Sequence, residues 1–130
     1  MSHLFRLRVH YEDTDMGGIV YHANYLKFCE RARSDWVRGL GIDQLAMRAG
    51  GTVFAVTAVE ARFRAPARFD DVLEVASEPV GGGAARLALR QDVTRAGELL
   101  YESRVTLAAI GPAGRPVRLP EVLRAVLPGR

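Results

Sequence analysis

Tyr11-Glu12-Asp13-Thr14-Asp15-Met16-Gly17-Gly18-Ile19-Val20-Tyr21-His22-Ala23-Asn24-Tyr25 is the stretch that decides how the chain is read. A strand pattern ends at Tyr11 and a helical pattern begins at about Asn24. Between them stand the carboxylates Glu12, Asp13 and Asp15, the pair Gly17-Gly18, and His22. Adjacent glycines let the main chain turn sharply and let another molecule approach it closely. The start of a helix offers unpaired N–H groups and a partial positive charge. A carboxylate facing that start across a small gap can attack, or take a proton from, a group that the helix polarises. On spacing alone, however, Asp15 reads as a turn or capping aspartate.

Upstream, Phe5-Arg6-Leu7-Arg8-Val9-His10-Tyr11 alternates and predicts a first strand with Phe5, Leu7, Val9 and Tyr11 on one face. Downstream, Asn24 is placed to cap a helix over residues 25–38. Tyr25, Phe28, Cys29, Ala32 and Trp36 form its apolar stripe, and Arg31 with Asp35 an i,i+4 pair. Gly39 and Gly41 end it, and a short helix over 42–48 follows. Residues 52–63 predict a long strand apolar on both faces, with Val53, Ala55 and Val59 on one and Phe54, Val56 and Ala58 on the other. Strands over 72–80, 84–95 and 98–110 come next, joined by turns at Gly81-Gly82-Gly83 and Ala96-Gly97. Residues 121–127 predict a last short helix.

One strand, one long helix and four strands contain no repeated βαβ unit, which argues against a doubly wound parallel sheet. An α+β fold with an antiparallel sheet on a single helix fits. No linker or repeat divides the chain, so residues 1–130 read as one domain. One helix cannot cover two apolar sheet faces, and a second copy of the chain is the simplest cover.

Hydrophobic residues at 48% and charged residues at 25% place the chain among globular rather than disordered proteins. The net charge of +3 is carried almost wholly by arginine; it suits a phosphate-bearing ligand and is too small to indicate nucleic acid. Absence of an apolar leader or of a membrane-length apolar run, with a lone cysteine, points to the cytoplasm. His3, His10 and His22 make no metal-ligand spacing, and Cys29 lacks a relay and reads as core.

Residues 11–33, which continue the quoted stretch through Leu26-Lys27-Phe28-Cys29-Glu30-Arg31-Ala32-Arg33, closely resemble the hot-dog-fold acyl-CoA thioesterases. The resemblance is to the 4-hydroxybenzoyl-CoA thioesterase type and, within it, to the Tol–Pal-associated branch. A second match is Ala65-Pro66-Ala67-Arg68-Phe69-Asp70-Asp71-Val72-Leu73. The resemblance implies a hot-dog fold, a five-stranded antiparallel sheet wrapped around one long central helix. It implies hydrolysis of an acyl-CoA to a carboxylate and free CoA, with CoA as part of the substrate and no cofactor. Asp15 matches the family's catalytic carboxylate, as nucleophile or general base. His22 falls beside the thioester, its main-chain N–H serving as an oxyanion donor. Tyr11 matches a position near the carboxylate. Gly18, Tyr25, Arg64 and Arg68 are the expected substrate contacts, and Arg62, Arg86 and Arg90 are further candidates for the CoA phosphates. A homodimer or homotetramer is expected. A protein partner in envelope maintenance or lipid metabolism is implied by the Tol–Pal resemblance alone. A hot-dog dehydratase and a non-catalytic acyl-CoA or protein-binding module are the alternatives.

Overall fold

The first strand, β1 (His3–Arg8), is shorter than its alternation predicts in the computed structural model, which describes residues 2–129. The His10 N–H donates to the Asp13 carboxylate at 2.8 Å, and the Asp13 N–H donates to the His10 carbonyl at 3.0 Å. That reciprocal pair folds Tyr11–Asp13 into a single 3-10 turn. Tyr11 therefore leaves the sheet. It is 81% exposed, its ring edge-on to Phe69, and is not the inward-facing strand residue the alternation suggested.

The long helix, α1 (Asn24–Gly39), buries the predicted stripe of Tyr25, Phe28, Cys29, Ala32 and Trp36, and adds Arg33 and Val37 to it. Asn24 is its first residue and does not cap it. Its side-chain amide donates instead to Asp13 Oδ1 at 2.9 Å, in a buried contact that ties the helix start to the preceding turn. Arg31 and Asp35 do not pair. Asp35 lies 2.9 Å from His3 Nε2 on β1, and the Arg31 guanidinium stands over the Phe28 ring. The second helix, α2 (Gln44–Ala49), starts later than expected because the Asp43 carboxylate accepts the N–H groups of Leu45 and Ala46.

The remaining strands are β2 (Val53–Phe63), β3 (Val72–Gly82), β4 (Arg86–Arg95) and β5 (Glu98–Ile110). With β1 they form one antiparallel sheet in the order β1-β3-β4-β5-β2, with β1 and β2 at its edges. This is the hot-dog arrangement, five antiparallel strands curled on one long helix. Gly81 and Gly82 belong to β3 rather than to a turn. Gly82 has φ +148, and a Cβ there would lie 2.5 Å from the Arg86 carbonyl oxygen, so the chain needs glycine to leave the strand at this point.

A bulge at Thr57 changes which residues of β2 share a face. Val56 pairs with Leu107 and Ala58 with Thr106, so parity switches between them. Phe54, Val56, Val59, Ala61 and Phe63 face α1, opposite the inward residues Ala109, Leu107, Val105, Ser103 and Tyr101. Val53, Ala55 and Ala58 face away. The predicted grouping of Val59 with Val53, and of Val56 with Ala58, is thereby corrected. The outer face of the central strands is also less apolar than expected. Arg90 and Asp92 on β4 stand beside Glu102 and Arg104 on β5 in a grid of charges.

The core has two apolar clusters. Val9, Val20, Tyr25, Phe28, Leu73, Val75, Val93 and Tyr101 pack under the first half of α1. Trp36, Val37, Leu87, Leu89, Leu107 and the short helix α3 (Glu121–Ala125), through Leu123, pack under the second half. A buried polar layer touches the α1 residues Cys29 and Arg33, which lie between the two halves. Arg33 donates to Gln91 Oε1 at 2.7 Å, and Gln91 Nε2 donates to the Cys29 carbonyl and to Ser77 Oγ. Ser103 Oγ donates to the Gln91 carbonyl. No described helix is long and apolar enough to cross a membrane.

Candidate active site

The turn at Asp15-Met16-Gly17-Gly18 is built by its first residue. The Gly17 N–H donates to Asp15 Oδ1 and the Gly18 N–H to the Asp15 carbonyl, both at 2.9 Å. Gly18 takes φ +77, a conformation that other residues adopt at a cost. One carboxylate oxygen is thus oriented by the main chain, and the other meets no donor among the described residues.

Three tethers hold this turn against the rest of the molecule. The Val20 N–H donates to the Ala67 carbonyl at 2.8 Å, Ile19 forms a bridge to Arg68, and the Tyr21 N–H donates to the Asp13 carbonyl at 2.9 Å. Asp13 is 4% exposed and accepts from both His10 and Asn24, so it serves the loop and not solvent. Across the gap, the Tyr25 hydroxyl accepts the Ala67 N–H at 3.2 Å. Burial raises the Tyr25 pKa above the ordinary phenol range, which keeps it neutral at physiological pH. The facing loop is fixed by Asp71, which accepts from the Arg68 N–H and from Arg95 at 2.8 Å each. Partial burial works against the Asp71 charge, but the Arg95 and Arg68 hydrogen bonds overcome it and hold the carboxyl below its usual range.

The structure brings four of the predicted site residues together. Asp15, His22, Tyr25 and Arg64 line one cavity of about 390 Å³, with Ile19, Val20, Phe63 and Pro66 as its apolar walls. The His22 ring lies 4.5 Å from Tyr21 and 6.4 Å edge-on from Phe63, between centroids. Just before α1, the main-chain N–H groups of His22 and Ala23 meet no acceptor among the described residues. The site therefore sets an exposed, oriented carboxylate in one cavity with a histidine whose amide, like that of Ala23, has no acceptor among the described residues. Such an arrangement can stabilise negative charge developing on an oxygen while a nucleophile approaches the adjoining carbon.

Tyr11, Gly18 and Arg68 do not line this cavity. Tyr11 is turned away by the 3-10 turn, Gly18 shapes the backbone beneath Asp15, and Arg68 contributes its main chain to the loop tethers. Arg64 is paired with Glu102 at 2.9 Å, and Arg90 with Asp92 at 3.0 Å. Sequence reading missed Phe63 and Pro66 as walls. Pro66 carried a signal, since it belongs to the second motif, whereas Phe63 lies two residues before that motif begins. Cys29 is buried, and burial pushes its thiol up to about 11, so it is no thiolate nucleophile at neutral pH. Among the described residues no three His, Cys, Asp or Glu side chains cluster as metal ligands.

A larger depression of about 670 Å³ lies on the opposite face of the sheet, over Arg90, Asp92, Glu102 and Arg104. Within it Arg90 pairs with Asp92, and no helix residue lines it, so size alone does not make it the reactive site.

The sequence profile of the thioesterase-like superfamily matches residues 9–127. The acyl-CoA thioester hydrolase YbgC of Escherichia coli O6:H1 is 39% identical over 126 residues, which cover 94% of each chain. The crystal structure of a probable thioesterase from Bartonella henselae superposes with a TM-score of 0.89 at 34% identity, covering 92% of this chain and all of that one. A 1,4-dihydroxy-2-naphthoyl-CoA thioesterase from Synechocystis superposes with a TM-score of 0.90 over 98% of this chain and 96% of its own, at 21% identity, a likeness of fold alone.

Proposed function

The chain belongs to the thioesterase-like superfamily, and on that premise we propose that it hydrolyses acyl-CoA thioesters to a free carboxylate and coenzyme A. The observation that carries this reading is the shared cavity of Asp15 and His22 at the start of α1, with the His22 and Ala23 amides lacking acceptors among the described residues.

In this mechanism the thioester carbonyl oxygen points at the His22 N–H and the α1 N-terminus. As the carbonyl carbon is attacked, negative charge gathers on that oxygen, and preorganised N–H groups stabilise it more than they stabilise the ground state. Asp15 either adds its free oxygen to the carbon, giving a mixed anhydride that water then cleaves, or removes a proton from an attacking water. In both routes the C–S bond breaks, the sulfur leaves as coenzyme A and takes up a proton, and one water is consumed. The Gly17 amide engages Asp15 Oδ1, which leaves the other oxygen for the reaction. The neutral Tyr25 hydroxyl, pinned by Ala67, shapes the wall beside the acyl group. In this reading Arg64, which lines the cavity, and Arg68, on the adjoining loop, meet the phosphates of coenzyme A, with Arg64 exchanging Glu102 for a phosphate.

The working unit in this proposal is a homodimer joined along β2, with tetramers formed by packing of dimers. β2 is an eleven-residue edge strand whose residues from Val56 onward are all exposed, a surface that an antiparallel partner strand would complete. The cytoplasm, where acyl-CoA is made and used, is the proposed compartment.

Asp15→Asn keeps the shape of the side chain and removes its charge. It is expected to lower kcat by at least about 10²–10⁴-fold, the usual worth of positioned proton transfer, with acyl-CoA binding retained. Free-thiol release with an acyl-CoA panel, alongside calorimetric binding and a melting curve, measures this. A folded Asp15→Asn variant that hydrolyses within a few-fold of the parent removes Asp15 from the mechanism. A parent that binds acyl-CoA yet releases no thiol is a binding module.

A further inference from the structure

The cavity that holds Asp15 has a mouth and an inner end. Asp15, His22, Arg64 and Pro66 are exposed and form the mouth, whereas Val20 and Tyr25, each 3% exposed, close the inner end. In the proposed reaction the thioester carbonyl sits at the start of α1 and the charged coenzyme leaves through the mouth. The acyl group therefore takes the inner end. Among the polar side chains of the lining, Asp15, His22 and Arg64 already have parts in the reaction or in coenzyme binding. The Tyr25 hydroxyl has a place in the wall but no partner on the substrate.

The Tyr25 ring is held on three sides. It stacks on Tyr101 at 4.8 Å with 8° between the planes, and meets Phe28 and Phe63 edge-on at 5.9 and 5.7 Å. These contacts fix where the hydroxyl stands. Its oxygen accepts the Ala67 N–H at 3.2 Å. Ala67 follows the wall residue Pro66, and its carbonyl accepts from Val20, so the hydroxyl belongs to the inner end. Its own hydrogen meets no acceptor among the described residues. Burial keeps that hydrogen in place at neutral pH. Phenylalanine would make the same ring contacts, and pinning Ala67 uses the oxygen only as an acceptor. What tyrosine adds beyond both is one fixed donor in a wall otherwise apolar at this end.

Resting on the thioesterase reading, we infer that Tyr25 selects the substrate: its hydroxyl donates to an oxygen carried by the acyl group, and the preferred substrates are acyl-CoAs with a keto or hydroxyl oxygen close to the thioester. A keto oxygen suffices, because the Tyr25 oxygen is already engaged by Ala67 and only a donor is on offer. Closeness to the thioester follows from the cavity of about 390 Å³, which holds the reacting carbonyl and the hydroxyl together. A site with such a positioned donor discriminates against an analogue that lacks the acceptor. The apolar analogue strips water from the donor and leaves it unmatched.

The experiment measures thiol release from butyryl-CoA, 2-hydroxybutyryl-CoA, 3-hydroxybutyryl-CoA and 3-oxobutyryl-CoA, in the parent and in Tyr25→Phe. The kcat/KM of each oxygenated thioester is divided by that of butyryl-CoA in the same protein. Comparing this ratio between the two proteins cancels intrinsic reactivity and any general loss of activity. For at least one oxygenated thioester the ratio is expected to fall about tenfold or more in Tyr25→Phe, the usual worth of one buried hydrogen bond. Ratios that are the same in both proteins overturn the inference; a hydroxyl that only pins Ala67 would give that result, with all four substrates slowed alike. A second measurement separates this outcome from failure of the thioesterase reading, and it does not depend on Tyr25→Phe folding. Calorimetric binding of the four thioesters to Asp15→Asn reads the inner end without turnover. Binding of one oxygenated thioester about tenfold tighter than butyryl-CoA upholds the inference even if the parent releases no thiol, and equal binding of all four rejects it. A preference that persists when Tyr25→Phe is added to Asp15→Asn also rejects it.

Discussion

Asp13 and Asp15, two residues apart, have divided their tasks by burial. Asp13 is enclosed and accepts from the His10 main chain and the Asn24 side chain, while Asp15 is open to the cavity with one oxygen engaged. Asp13→Asn places an amide N–H₂ where both neighbours donate. It is expected to destabilise the fold by about 1–3 kcal/mol, the cost of leaving a buried hydrogen-bonding group unpaired. A melting curve lowered by several degrees, with kcat little changed in the folded fraction, checks this; a variant as stable as the parent would mean that the clamp is dispensable. The sequence showed both carboxylates and the following helix but not this division. Asn24 has the chemistry of a helix cap, and only the placement of Asp13 beneath it diverts the side chain. The place of Asp15 in the turn before α1 was legible through the motif around it. Its companions Phe63 and Arg64 are nearly fifty residues away, and their arrival beside it depends on strand order, which no local pattern encodes.

Among the elements, α1 was the most legible, because five apolar residues at a 3.6-residue period leave one face to bury. The end of β1 was not, since alternation continues through Tyr11 while hydrogen bonding has already turned the chain. The bulge in β2 was invisible for a different reason: an extra residue is defined only against the partner strand, here β5. The loop between β2 and β3 makes a pH-dependent contribution. Asp71 holds the Arg68 amide and the Arg95 guanidinium, and its folded pKa is depressed. A depressed carboxyl contributes stability above its unfolded pKa, about 4, and loses it as pH falls through the lower folded value. Asp71→Asn is therefore expected to be less stable than the parent at pH 7. The difference should narrow as pH drops below about 4, where the parent carboxyl is also protonated. Denaturant titrations at pH 7 and pH 3 test this, and a gap that widens in acid would contradict the assignment.

For the whole molecule, the expected consequence of the bare β2 edge is association. Light scattering at micromolar concentration should return at least twice the chain mass of 14.3 kDa, and a monomer of that mass would remove the edge-paired unit from the proposal. The charged outer face made this less legible than the sequence suggested. Arg90, Asp92, Glu102 and Arg104 occupy the place where a second apolar face was expected, so edge pairing has stronger support than face packing. The buried layer of Arg33, Gln91, Ser77 and Ser103 bears on the molecule in another way. Between oily surfaces a helix can slide along its axis by a turn, about 5.4 Å, and still find apolar partners. Here such a slip would pull the Arg33 guanidinium off Gln91 and the Cys29 carbonyl off its amide, leaving both stranded in the interior. The layer acts as a detent. It gives α1 a single resting position on the sheet, and the distance between the helix start and Asp15 is set two turns away from either of them.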